Sequence, residues 1–238
     1  MSDDPDHTRR WLINASGAAI LSGALPVAAA HAQTAAAPPP GAAKDSFGGA
    51  APARTAVSPI TATLADYVAN ALDRELPAAA VAKTKLHVLD TLAAMVSGSR
   101  LKPGVLAARY VESLGGKPQA MVIGTGIVTS AANAAMANAM AAHADETDDT
   151  NPIGPVHLGC GAVPAALATA ELAGRNGQDF LRAAMLGYDV GTRVTMSMGG
   201  PLYQAATHRS THGTVAAFGA GAAAGCAAGL DARQLQQF

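Results

Sequence analysis

"TSAANAAMANAMAAHADE", residues 129–146, decides the fold class of this chain. Alanine, the strongest helix former, fills half of the segment, and no glycine or proline interrupts it. Small residues lie on every side of the resulting helix, so it suits a buried place between neighbouring helices. The helix reading extends over all of 129–146 and brings His143 and the acids after it to its C-terminal end.

The segments on either side read the same way. "TLADYVANALDREL" (63–76) places Leu64, Ala65, Val68, Ala69 and Leu72 on one face, with Thr63 as cap and Asp66 in the first turn. After Pro77 a second helix has Val81, Leu86, Val88, Leu89, Leu92 and Met95 as its apolar set and ends at Gly98. A third runs from Pro103 to a stop at Gly115. "AMVIG" (120–124) is a short extended piece, too short to carry a sheet alone. Downstream, 160–174 is a helix stopped by Gly174, and 177–200 is another with Phe180, Leu181, Met185, Val190 and Val194 along one face. A loop over 200–211 leads to a Gly/Ala-rich helix at 212–230, and Asp231 opens one more. A sequence that stops inside a helix start is expected of an incomplete protein. The expected fold is mostly all-α, a helical bundle with at most a short strand near 120–124.

Half of the 238 residues are apolar, yet only 4% are aromatic, so the core must be built from small side chains at close approach. Charged residues make up 14%, well below the usual quarter, which suggests a partner subunit or a further domain over part of the surface. Beyond residue 32 fourteen basic residues balance fourteen acidic ones. That neutrality supplies no electrostatic attraction for nucleic acid or an anionic membrane. Two cysteines, Cys160 and Cys226, are too few for an iron–sulfur cluster and form no CxxC pair.

The first 32 residues have the layout of a twin-arginine export signal. Arg9 and Arg10 precede a mildly apolar run, and Ala30-His31-Ala32 is a small-x-small cleavage site. This predicts a periplasmic protein, without a membrane span once the signal is removed. Residues 33–58, rich in alanine, proline and glycine, read as a flexible linker, and the helical domain is expected over 59–238.

The polar chemistry is concentrated in "HADETDDTNPIGPVH", residues 143–157. Four carboxylates at the end of a helix meet the negative end of its dipole and repel one another, an arrangement that costs stability. Such crowding goes with a shifted pKa, a bound cation or a catalytic role. A solvated loop is the plainer explanation, but two histidines, Thr150 and Asn151 accompany the acids. Glu146, Asp148 and Asp149 could hold a hard cation, yet no Asp-x-Asp-x-Asp-Gly loop and no second acidic cluster completes a cage. His143 and His157 with these carboxylates could hold iron or zinc, but a loop separates the two histidines and leaves the geometry open, so the expectation is no metal. A second polar island, "HRSTHG" (208–213), precedes the Gly/Ala-rich helix. Its His208, Thr211 and His212 lie where helix N–H groups favour a carboxylate ligand.

From about residue 60 onward, "KTKLHVLDTLAAMVSG", "NAMAAHADETDDT", "VHLGCGAVPAALATAELAG", "MLGYDVGTRV" and "HGTVAAFGAGAAAGCAAGLDARQ" occur in an order and spacing that resembles the large helical domain of the MmgE/PrpD family. That family includes 2-methylcitrate dehydratase, cis-aconitate decarboxylase and iminodisuccinate epimerase. The resemblance implies a cofactor-independent lyase or isomerase acting on a small di- or tricarboxylic acid, and a homodimer. It implies that Glu146 to Thr150 and His157 line the active site, with His212, or else His208, as the second histidine. On this reading His157 is a catalytic base or acid, and His212 holds a substrate carboxylate or donates a proton. Asp149 orients His157 or binds a hydroxyl. Glu146, Thr150, Thr211 and His208 contribute to substrate binding, and no cofactor is used. The chain departs from the family pattern at Leu158, where proline is common after the histidine. It departs again at Glu146, where aspartate is frequent, and at Asn151, where an aromatic residue or histidine is usual. The later Lys-Arg-x-His-Pro-Gly segment and the small α+β lid domain are absent from these residues. Two other readings remain open: a non-catalytic periplasmic carboxylate binder or inactive fragment, and a metal-dependent hydrolase that uses the acidic loop.

Overall fold

The computed structural model describes residues 56–152 and 156–238. The export signal, most of the linker and the turn at 153–155 lie outside the described residues. Nine helices form the described part: α1 (Pro59–Ala69), α2 (Ala78–Gly98), α3 (Lys102–Leu114), α4 (Ala131–Ala142), α5 (Gly159–Ala173), α6 (Gly177–Ser197), α7 (Pro201–Thr207), α8 (Thr211–Ala228) and α9 (Ala232–Leu235). Between α3 and α4 a two-residue strand β1 (Ala120–Met121) pairs antiparallel with β2 (Val128–Thr129), Ala120 opposite Thr129. The mostly all-α expectation holds. No described helix is long and apolar enough to cross a membrane.

The elements begin and end for local reasons. Helix α1 starts four residues before the expected Thr63, because Ser58 accepts the Thr61 N–H and Pro59 occupies the first turn. Thr63 instead donates its hydroxyl to the Pro59 carbonyl inside the helix. Helix α4 ends at Ala142, not at Glu146, so the acids stand on a turn beyond it. The segment expected as a loop over 200–211 contains α7, entered through Pro201. At the chain's last helix, Asp231 and Gln234 form a reciprocal capping box.

Small residues determine how closely the helices pack. A Cβ on Gly187 of α6 would lie 2.7 Å from the Ala162 Cβ and 2.9 Å from the Gly219 carbonyl oxygen. One on Gly98 of α2 would run into the Ala141 carbonyl oxygen of α4. Helix α2 ends at Gly98 as expected, and the same glycine is required for packing. Helices α5, α6 and α8 form the centre, where Val163, Ala166, Ala183, Ala223 and Ala227 are fully buried. The expected apolar face of α2 is only partly inside: Val88 and Met95 are buried, whereas Leu86 and Leu89 are 61% and 65% exposed. Their places toward the core are taken by Thr84 and Thr91, whose hydroxyls bond back to carbonyls of their own helix.

Candidate active site

The acidic stretch resolves into carboxylates with separate tasks. Asp149 is the most fully engaged. Its Oδ1 accepts the Gly159 N–H at 3.0 Å, in the first turn of α5. Its Oδ2 accepts the Tyr188 hydroxyl at 2.6 Å and lies 2.9 Å from His87 Nδ1. Helix α5 has no side-chain cap from its own N-cap residue, Leu158. Asp149, ten residues upstream, supplies one, and its charge sits at the positive end of that helix. Part of the electrostatic cost expected of the acid cluster is thereby offset. Burial, and then the Asp149 charge, hold the Tyr188 phenol well above its ordinary pKa, so it remains a donor.

Asp148 has other partners, and its side chain is fully buried. His143 Nδ1 lies 3.0 and 3.1 Å from its two oxygens, and His157 Nδ1 lies 3.9 Å from Oδ2. Cys160 of α5 adjoins the same carboxylate, and burial followed by Asp148 pushes its thiol pKa well up. Asp145 accepts from Thr147 at 2.7 Å and from Ser97 at 2.8 Å, and these bonds, Thr147 first, hold its pKa below the usual carboxylate value. Glu146 adopts a left-handed backbone conformation with φ 58°, uncommon for a residue with a Cβ, and its carboxylate is 3.5 Å from His143 Nε2.

His157 is held by the main chain. Its Nδ1 lies 2.9 Å from the Asp149 carbonyl oxygen, with Thr150 Oγ1 at 3.4 Å. A carbonyl can only accept, so Nδ1 carries the hydrogen and the neutral ring presents Nε2 as its basic nitrogen. The orienting group expected of Asp149 is thus its carbonyl; the carboxylate serves α5, Tyr188 and His87 instead.

Three imidazoles stand in a row. The centroids of His143 and His157 are 5.2 Å apart, and those of His157 and His212 are also 5.2 Å apart. His212 lies in the first turn of α8, next to the buried Thr211, whose hydroxyl faces Gln204 Oε1 at 3.3 Å. Burial first, then the neighbouring His157 and His143, push the His212 pKa below its ordinary value, against a smaller opposing pull from Glu146 and Asp148. His208 is elsewhere: it ends α7 in a left-handed conformation, φ 55°, and is exposed. Of the two candidates for the second histidine, His212 is the one placed beside His157. The residues missed by sequence reasoning are His87 and Tyr188, whose positions in mid-helix gave no polar-cluster signal. A cavity of about 130 Å³ opens among His87, Asp149, Thr150, Asn151, Pro152 and Tyr188.

These features define a helical protein with a cluster of histidines and carboxylates at its helix ends. The chain belongs to the MmgE/PrpD family, whose N-terminal domain matches residues 62–238. It is 28% identical over 148 residues to the cis-aconitate decarboxylase-like protein oryM of Aspergillus oryzae, across 59% of this chain and 31% of that protein. It is 26% identical over 144 residues to a cis-aconitate decarboxylase of Aspergillus terreus, across 58% of this chain and 29% of that protein. The match therefore spans less than a third of the length of these relatives.

Proposed function

We propose that this chain forms the histidine-bearing part of a lyase or isomerase that acts on a small di- or tricarboxylic acid. The observation that carries the reading is the row His143, His157 and His212 beside the buried Asp148, with His157 Nδ1 fixed so that Nε2 is the basic nitrogen. His157 Nε2 removes a proton from the carbon next to a substrate carboxylate, using only groups of the protein. His212, at the positive end of α8, receives the carboxylate or returns the proton. Thr150 donates to a carboxylate oxygen, and the N–H groups at the start of α8 stabilise the enolate charge as it develops. Loss of a β-hydroxyl as water and return of the proton to the opposite face are two exits from this intermediate; loss of CO₂ instead leaves the C–C electron pair on the substrate, and a protonated histidine supplies the proton that replaces the carboxylate. Likeness to decarboxylase sequences supports this class of chemistry.

The test is to incubate the native protein with a panel of small di- and tricarboxylates and follow product by NMR, with thermal unfolding in parallel. A ligand at about one hundred times its Kd adds about 2.7 kcal/mol of stability. Conversion of at least one acid, with stabilisation by it or its analogues, is expected. No conversion and no stabilisation across the panel contradicts the reading. Arg9, Arg10 and the Ala30-His31-Ala32 site support export to the periplasm by the twin-arginine route. Arg9→Lys with Arg10→Lys should then keep the protein in the cytoplasm. The low charge content and the exposed Leu86 and Leu89 support a homodimer, which sedimentation of the native protein checks.

A further inference from the structure

His143, Asp148 and Cys160 bring three different metal-ligating groups together. Their donor atoms, an imidazole nitrogen, a carboxylate oxygen and a thiol sulfur, lie within 4.8 Å of one another. They come from three places: the end of α4, the turn after it, and the first turn of α5. The Asp148 side chain is fully buried and faces His143 Nδ1 at 3.0 Å, so a nitrogen and an oxygen donor are already adjacent. We propose that His143, Asp148 and Cys160 form a binding site for a divalent transition metal of the zinc class.

A nitrogen, oxygen and sulfur donor set favours Zn²⁺ over Mg²⁺ or Ca²⁺, which take oxygens. Bond lengths of about 2.0–2.3 Å place the ligand atoms of a tetrahedral zinc about 3.4–3.6 Å apart. With all three donor atoms within 4.8 Å of one another, side-chain shifts on the order of 1 Å reach that geometry. Three protein ligands leave the fourth position to water or a carboxylate oxygen. This departs from the expectation of no metal, which weighed the acids and the two histidines as ligands and did not bring Cys160 to them. It rests on this geometry; His143 and Asp148 also belong to the group that carries the lyase reading, so its test reads metal binding and not turnover.

The test uses Co²⁺ as a spectroscopic stand-in for zinc, added to the native full-length protein. The expected result is an intense near-ultraviolet thiolate-to-cobalt charge-transfer band that saturates at one equivalent and is displaced by Zn²⁺. Cys160→Ser abolishes the band, His143→Gln weakens cobalt binding at least about tenfold, and Cys226→Ala leaves both unchanged. Circular dichroism confirms that each variant is folded. No charge-transfer band in the wild-type protein, or a band that survives Cys160→Ser, overturns the site. Neither readout involves turnover, so the result stands apart from the test of the lyase reading.

Discussion

The Tyr188 hydroxyl donates to Asp149 Oδ2 at 2.6 Å, across 39 positions of sequence, and this bond anchors the polar turn to α6. His87 from α2 meets the same oxygen, and the Gly159 N–H meets the other. Three helices thus converge on one carboxylate.

Removal of the carboxylate should cost more than removal of either partner. Tyr188→Phe deletes one charged hydrogen bond and leaves two others, an expected loss of about 1.5–3 kcal/mol. Asp149→Ala strips all three donors and the N-terminal cap of α5, so urea unfolding should place it below Tyr188→Phe. Equal stabilities for the two variants would show that Asp149 is not the anchor.

Glycine at 187 is required by the approach of α6 to α8. Gly187→Ala places a methyl within 2.7 Å of the Ala162 Cβ and should destabilise by about 1–3 kcal/mol. Gly213, in the first turns of α8, has open space around it, so Gly213→Ala should leave stability unchanged or raise it by up to about 1 kcal/mol. Thermal unfolding of the pair distinguishes packing from propensity.

The pH dependence follows from His212. Its folded-state pKa lies below the ordinary value of 6.5, chiefly through burial and then through His157 and His143. In the window just below 6.5 the unfolded chain binds more protons than the folded one, so stability falls as pH falls through that window. His212→Gln removes this contribution. The fall in melting temperature between about pH 7 and about pH 5.5 should be smaller in the variant than in the wild type. An equal fall in both would assign the dependence to other groups.

The helices themselves were legible because alanine content, proline and glycine act locally. Pro77, Pro103, Gly115 and Gly174 mark boundaries within a residue or two of those observed. The start of α1 was misplaced because Thr63 is also a good capping residue, and only the Ser58-Pro59 pair resolves the choice. The exposure of Leu86 and Leu89 was not legible, since apolar spacing says which residues share a face and not which face meets the core. In the site, His157 and the acids stood out as a cluster. The pairing of Asp149 with Tyr188 and His87 could not, because it spans 39 and 62 positions and depends on how α2, α5 and α6 pack. That His212 and not His208 stands beside His157 was not legible either, because α7 ends at His208 where a loop was expected.

The central claim is that His157 moves a proton on a carbon next to a carboxylate. Its most direct test is solvent deuterium exchange into small di- and tricarboxylates, followed by NMR, with the native full-length protein and its His157→Asn variant. The account predicts exchange at a carbon adjacent to a carboxylate in the wild type. It also predicts a loss of at least about a hundredfold in a folded His157→Asn variant. Exchange that proceeds at the wild-type rate without His157 would contradict it.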